Sequence, residues 1–294
     1  MHFPTADLTV NPLIPPLVAF AISFFTSTGG VSGAFLLLPF QMSVLGFTSP
    51  AVSATNQLYN VVAIPSGVYR YFREGRMVWP LTWVVVAGSL PGVLIGAVLR
   101  IRYLPDPRNF KFFVGLVLLY LGARVLGDVM RRRPGVATAD EPVTEVVVER
   151  FGPTRIAYVF RGERFTVNTL ALAALSLAVG VVGGVYGIGG GAIIAPVLVS
   201  VWGLPVYTVA GAALMGTFVT SAGAVLFYGL LASRYPELAV SPDWLLGLLF
   251  GLGGFAGIYC GARLQKRFPA TVIKWILAAC ILFVSIRYIV DFFS

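Results

Sequence analysis

The chain has 294 residues, 57% of them hydrophobic and only 11% charged, with a mean hydropathy of +0.87 and a net charge of +9. Ordinary globular domains carry about 25% charged residues, and a soluble chain this apolar could not cover its surface with polar groups. The composition argues against a soluble enzyme, a nucleic-acid binder or a disordered chain, and makes a lipid bilayer the expected surrounding. Cys260 and Cys280 both lie in apolar runs and form neither a disulfide framework nor a metal-binding spacing.

Met1 to Asn11 carries no Lys or Arg and includes Asp7, unlike the basic start of a cleaved signal. The first apolar run is therefore read as a retained membrane segment. A transmembrane helix needs roughly 20 apolar residues. Uncharged stretches occupy about 12–46, 48–69, 77–99, 112–123, 165–231, 244–262 and 275–286, and the stretch 165–231 must hold several segments. The polar interval 128–166 separates two apolar halves. Within it Val143–Phe151, Arg155–Phe160 and Glu163–Val167 alternate apolar and polar residues around Gly152-Pro153 and Gly162. This pattern fits a small β-meander. The expected domains are a first membrane repeat (1–128), a cytoplasmic insertion (129–166) and a second membrane repeat (167–294).

The halves share an internal repeat. Gly30-Val31-Ser32-Gly33 through Pro39 aligns with Gly187-Ile188-Gly189-Gly190 through Pro196. The register continues with Ser43 on Ser200, Gly46 on Gly203, Val52 on Val209 and Tyr71 on Tyr228. After a short insertion in the second half, Gly88, Gly92 and Gly96 fall on Gly253, Gly257 and Gly261. Repeated halves are common in secondary transporters. If each glycine cluster breaks its segment into a hairpin, three further helices per half give an odd number of passes, and the second half enters inverted. One side then receives Arg70, Arg73, Arg76, the basic residues of 124–164, Arg263, Lys266, Arg267 and Lys274, which is 15 of the 21. By the positive-inside rule that side is cytoplasmic, with both termini outside. A single crossing by 12–46 would give a weaker bias.

The two glycine-rich breaks are the main candidates for a site. Glycine leaves helical φ/ψ at low cost, and non-helical backbone at membrane depth is tolerated only inside protein or along a cavity. A broken helix directs free N–H groups and a positive dipole end at the break, an arrangement suited to anions. Gly30, Val31, Ser32, Gly33, Gly187, Gly189, Gly190 and Gly191 are accordingly candidate substrate-binding residues. The alternative is close helix packing through small residues, which is preferred for Gly92/Gly96 and Gly253/Gly257/Gly261. Ser49-Pro50 reads as a helix start with Ser49 as N-cap and Pro50 at N1. On the following helix Ser53, Asn56 and Asn60 share one face, flanked by Thr55, Gln57 and Tyr59. In the second half Thr217, Thr220 and Ser221 occupy the corresponding helix, with Thr217 on Asn60. Polar side chains there either join helices or line a pathway. Asn56 is the foremost candidate for substrate contact, with Ser53, Asn60, Thr217 and Thr220 beside it. Back-bonding to their own helix is the competing role for the threonines.

The stretches 12–69, 77–99 and 165–231 contain no Asp, Glu, Lys, Arg or His. The carboxylate or histidine relay usual in proton-coupled carriers is missing, as is any catalytic or metal constellation. No cofactor is expected. Gly187-x-Gly189-x-x-Ala192 matches a dinucleotide fingerprint, but no acidic residue follows about 20 residues on.

Taken together, Gly187 through Pro196, its first-half copy ending in Pro39, and the small-residue helix Ala210-Gly211-Ala212-Ala213 with Thr217 resemble the TauE/SafE family of membrane permeases, named for sulfite export. The resemblance covers nearly the whole chain outside 128–166. The first copy has Ser32 and Ala34 where the second has glycines. Family members are thought to move sulfite, sulfoacetate or other small sulfur-containing anions across the bacterial inner membrane. The resemblance implies an all-α, multi-pass inner-membrane exporter of a small sulfur-containing oxyanion, monomeric or homodimeric, with no nucleic-acid partner. Alternating access of two inverted repeats is the expected mechanism. Each repeat would have a glycine-broken hairpin and about three transmembrane helices. An anion channel, or the membrane subunit of a larger sensor or enzyme complex docking through 128–166, remains an alternative.

Overall fold

Chains cross a bilayer as helices or as strands of a closed barrel, and uncharged runs of about 20 residues suit helices. A computed structural model describes residues 1–28, 33–75, 77–130, 146–264 and 270–294. In the first half it places α1 (Ile14–Thr28), α2 (Ala34–Ser43), α3 (Ala51–Ala63), α4 (Pro65–Arg73), α5 (Trp79–Arg102) and α6 (Pro107–Met130). The second half holds α7 (Thr169–Tyr186), α8 (Gly191–Val201), α9 (Val206–Ala232), α10 (Trp244–Leu264) and α11 (Ala270–Phe293). Six of these, α5, α6, α7, α9, α10 and α11, are long and apolar enough to cross a membrane. Polarity across the bundle is inside-out relative to a soluble protein. Leu226, Leu230, Leu252 and Phe283 are exposed, while Gln41, Ser53, Asn56, Gln57 and Asn60 are buried. That arrangement fits hydrocarbon outside and a polar interior. The chain is a polytopic helical membrane protein.

Glycines set both the helix contacts and their directions. A methyl group added at Gly88, Gly92 or Gly96 of α5 would overlap the carbonyl side of Ala173, Leu177 or Val181 in α7. In α10, Gly253, Gly257 and Gly261 meet Pro16, Phe20 and Phe24 of α1 in the same way. Both pairs run parallel. The partners also correspond: Pro16, Phe20 and Phe24 fall on Ala173, Leu177 and Val181 in the register that superposes Gly30 on Gly187. These glycines serve close packing. α6 runs antiparallel to α11, and α3 with α4 antiparallel to α9. Gly115 of α6 lies against Tyr288 of α11, and Gly122 against Leu282. Gln57 of α3 meets Ser221 of α9, whereas Gly67 in α4 faces Leu214.

The ends of the bundle differ. At one end a short hairpin, β1 (His2–Phe3) with β2 (Leu8–Thr9), is tied to the start of α10 by Ala6 N–H donating to Asp243 Oδ2 at 3.2 Å. The C-terminus is at this end too, where Arg108 Nη2 donates to Phe292 O at 2.6 Å. At the other end β3 (Val147–Phe151), β4 (Arg155–Phe160) and β5 (Glu163–Asn168) form an antiparallel sheet in that order. It packs on the start of α9, with Tyr158 Oη and Thr208 Oγ1 2.9 Å apart and the Phe160 and Tyr207 rings stacked at 5.6 Å. β5 leads directly into α7, whose N-cap is Asn168, its Oδ1 accepting from Ala171 N.

The start of α3 differs from the sequence expectation. Its cap position is Pro50, and no side chain caps it. Ala51 N donates to Ala239 O, Val52 N to Ser49 O and Ser53 N to Pro50 O. Backbone carbonyls thus fill the role expected of the Ser49 side chain.

Candidate functional site: two helix breaks around a polar helix

The second break follows from glycine geometry. α7 ends at Gly187, whose φ of 90° is left-handed, and Gly187 N and Ile188 N both donate to Gly183 O, at 2.9 and 3.0 Å. This is a glycine C-cap. Gly189, with φ of 77°, carries the chain on to α8. A methyl group at Gly187 would lie 2.6 Å from Ser53 O, and one at Gly189 would lie 2.8 Å from Ser221 Oγ. At Gly190 it would overlap Ser89, and at Gly191 the carbonyl of Ala213. The break is therefore wedged between α3, α5 and α9.

Of the first break, Gly30, Val31 and Ser32 lie outside the described residues. Gly33 immediately precedes α2, and a methyl group there would fall 2.7 Å from Tyr59 Oη, itself 2.7 Å from Ser23 Oγ. Gly33 thus lies against Tyr59 of α3, and the second break against Ser53 of the same helix.

Asn56 joins them. Its Nδ2 donates to Ala34 O and to Gly187 O, each at 3.0 Å, and its Oδ1 accepts from Gln41 Nε2 at 3.2 Å. Both amide hydrogens are engaged within the protein. Tyr186 Oη donates to Phe35 O at 2.7 Å, adding a second link between α7 and α2. Ser53 Oγ donates to Val185 O at 3.1 Å. Gln57 accepts from Ser221 Oγ at 2.6 Å and donates to Gly183 O at 3.4 Å.

The threonines of α9 are occupied as well. Thr217 Oγ1 donates to Ala213 O at 2.9 Å, which is back-bonding to its own helix. Thr220 Oγ1 donates to Gly216 O at 2.6 Å and accepts from Gly190 N at 3.0 Å. The amides of Gly187, Ile188 and Gly190 therefore already have protein acceptors in this conformation.

Asn60 is different. It is completely buried, and neither Oδ1 nor Nδ2 has a hydrogen-bond partner. It sits one turn beyond Asn56 and Gln57 on the stripe that begins at Ser53. A buried unsatisfied amide costs about 1–3 kcal/mol per group, so its retention calls for a reason. Gln41 Oε1 is also buried without a partner. Sequence reading missed Gln41; its only signal is a lone glutamine in the apolar run 34–47. Among the described residues no three His, Cys, Asp or Glu side chains come together to hold a metal. The side chains brought together here are neutral donors and acceptors, able to bind a polar solute and to release it.

The family described as "Sulfite exporter TauE/SafE" matches residues 16–288. Two proteins of Xylella fastidiosa, each described as "Probable membrane transporter protein", are similar. That of strain 9a5c is 24% identical over 259 residues, covering 87% of this chain and 84% of the relative. That of strain Temecula1 is 23% identical over 256 residues, again covering 87% and 84%. No solved structure matches the chain.

Proposed function

The chain belongs to the TauE/SafE family of membrane transporters, and from that premise we propose that it is a secondary carrier exporting a small sulfur-containing oxyanion. Sulfite comes first, with organosulfonates such as sulfoacetate as the other members of the class. The observation that carries this reading is Asn60: a fully buried amide without a partner, one turn from the Asn56 side chain that bonds Ala34 O and Gly187 O, in a stretch without charged side chains. Such an amide can donate to an oxyanion oxygen. A neutral site suits a solute that must leave again.

We read the halves as inverted repeats that rock against one another. Support comes from the matched glycine contacts of α5 on α7 and α10 on α1, and from the antiparallel course of α6 against α11 and α3 against α9. The bias of basic residues toward the β3–β5 end favours a cytoplasmic sheet and both termini outside an inner membrane. A weak-acid substrate such as sulfite could carry its own proton, so the carrier would need no titrating relay.

A thermal-shift series on purified protein with sulfite, sulfate, thiosulfate and organosulfonates tests the substrate class, because a ligand of the native state stabilises it as concentration exceeds Kd. Stabilisation by a sulfur oxyanion supports the reading. Stabilisation by another solute class alone would overturn it. Proteoliposome flux against pH tests the proton: strict cotransport of a proton with a permanently charged sulfonate counts against a self-protonating substrate.

A further inference from the structure

Arg100 stands apart from the other basic residues. It belongs to the last turn of α5, where a basic side chain would ordinarily reach toward water, yet its exposure is 0%. Nη1 donates to Leu104 O, and Nη2 to Thr48 O at 3.2 Å. Its guanidinium carbon lies 3.6 Å from the centre of the Phe110 ring. Nε has no partner, and Arg100 forms no ion pair among the described residues. The nearest acid in sequence, Asp106, is exposed and accepts from Asn109 N at the start of α6. The residue after Thr48 is Ser49, whose Oγ is also buried without a partner.

A buried cation lacking a counter-charge is costly. Two carbonyls and an aromatic face offset part of that cost, but they need no formal charge. A clamp on the 44–50 and 103–106 connections could be made by neutral donors. What a neutral side chain cannot supply is the attraction of a permanent positive charge for an anion, and buried ionisable residues in membrane proteins mark ion pathways. Arg100 lies at the end of the bundle that holds both termini, away from Asn60.

We propose that Arg100 and Ser49 form an anion-binding site at the termini end of the bundle, where a small oxyanion accepts from Arg100 Nε and Ser49 Oγ on its way to or from the central site. The proposal rests on the reading of the protein as an anion carrier. It adds a second, charged station that the charge-free centre does not provide. Arginine suits this place because its planar donors can hold two carbonyls and still offer Nε to an oxyanion.

The test is titration of sulfite, sulfate and sulfoacetate into purified wild-type protein, Arg100→Gln, Arg100→Lys and Ser49→Ala, each first shown to be monodisperse. Hydrogen bonds to charged groups are worth enough that Arg100→Gln should weaken binding of the best of these anions by about 10-fold or more. Arg100→Lys, which keeps the charge, should lose less than Arg100→Gln, and Ser49→Ala should weaken binding about threefold or more. An unchanged Kd in folded Arg100→Gln overturns the proposal while leaving the carrier reading intact. If Arg100→Gln does not purify, an unchanged Kd in Ser49→Ala overturns it instead. Wild-type protein that binds none of the three anions overturns both this proposal and the assignment of the substrate class.

Discussion

The amide nitrogen of Asn56 lies 3.0 Å from the carbonyl oxygen of Gly187, across 131 residues of sequence. The same nitrogen reaches Ala34 O at the start of α2. One side chain in α3 therefore ties the start of α2 to the end of α7, and any movement of one half against the other has to break or carry these bonds.

Asn56→Ala removes three hydrogen bonds in a buried setting. The expected loss is roughly 2–4 kcal/mol of stability, read as a lower midpoint in chemical or thermal unfolding in detergent. A midpoint equal to wild type would show that Asn56 does not hold the breaks together.

Asn60→Leu should behave in the opposite way. It replaces an amide that has no partner with an apolar side chain of similar size. Stability should stay equal or rise by about 1 kcal/mol, while binding of the transported anion weakens. Loss of stability together with unchanged binding would remove Asn60 from the site.

The glycine contacts predict a position-dependent alanine series. Gly92→Ala in α5 and Gly257→Ala in α10 place a methyl group against the backbone of a neighbouring helix, at Leu177 and Phe20. Both should destabilise by about 1–3 kcal/mol. Gly229, in α9, has open space around it, and Gly229→Ala should be neutral or stabilising by up to about 1 kcal/mol through helix propensity. Equal effects at all three positions would contradict the packing.

The sheet offers a pH-dependent test outside the membrane-spanning helices. Burial pushes the Tyr158 hydroxyl above its ordinary value of 10.0, with the hydrogen bond to Thr208 pulling the other way. Because the folded value is the higher one, the hydroxyl's contribution is complete below pH 10 and is lost as pH rises through the folded value. Tyr158→Phe should cost about 1 kcal/mol at neutral pH and flatten the alkaline loss, measured as protease susceptibility of the β3–β5 segment against pH. An unaltered alkaline profile in Tyr158→Phe would sever the link.

What the sequence determined by itself is local or nearly so. Transfer free energy acts on each apolar run, so the membrane class and the long helices could be read from hydropathy. Glycine's freedom acts on single residues, so the break at Gly187–Gly191 stands where the sequence puts it, as does the close packing through Gly92, Gly96 and Gly257. The polar face of α3 follows from helical spacing alone. What only the tertiary structure decided is which of those polar groups is already satisfied. Ser49 looks like a cap, but backbone carbonyls fill that role. Asn56 and Asn60 are alike in sequence, one turn apart on one helix, yet Asn56 is fully bonded and Asn60 is not. Arg100 simply ends an uncharged run in the sequence, and it proves to be completely buried. Hydrogen-bond satisfaction and burial depend on carbonyls and rings delivered from distant parts of the chain, and no periodicity within one segment carries that information.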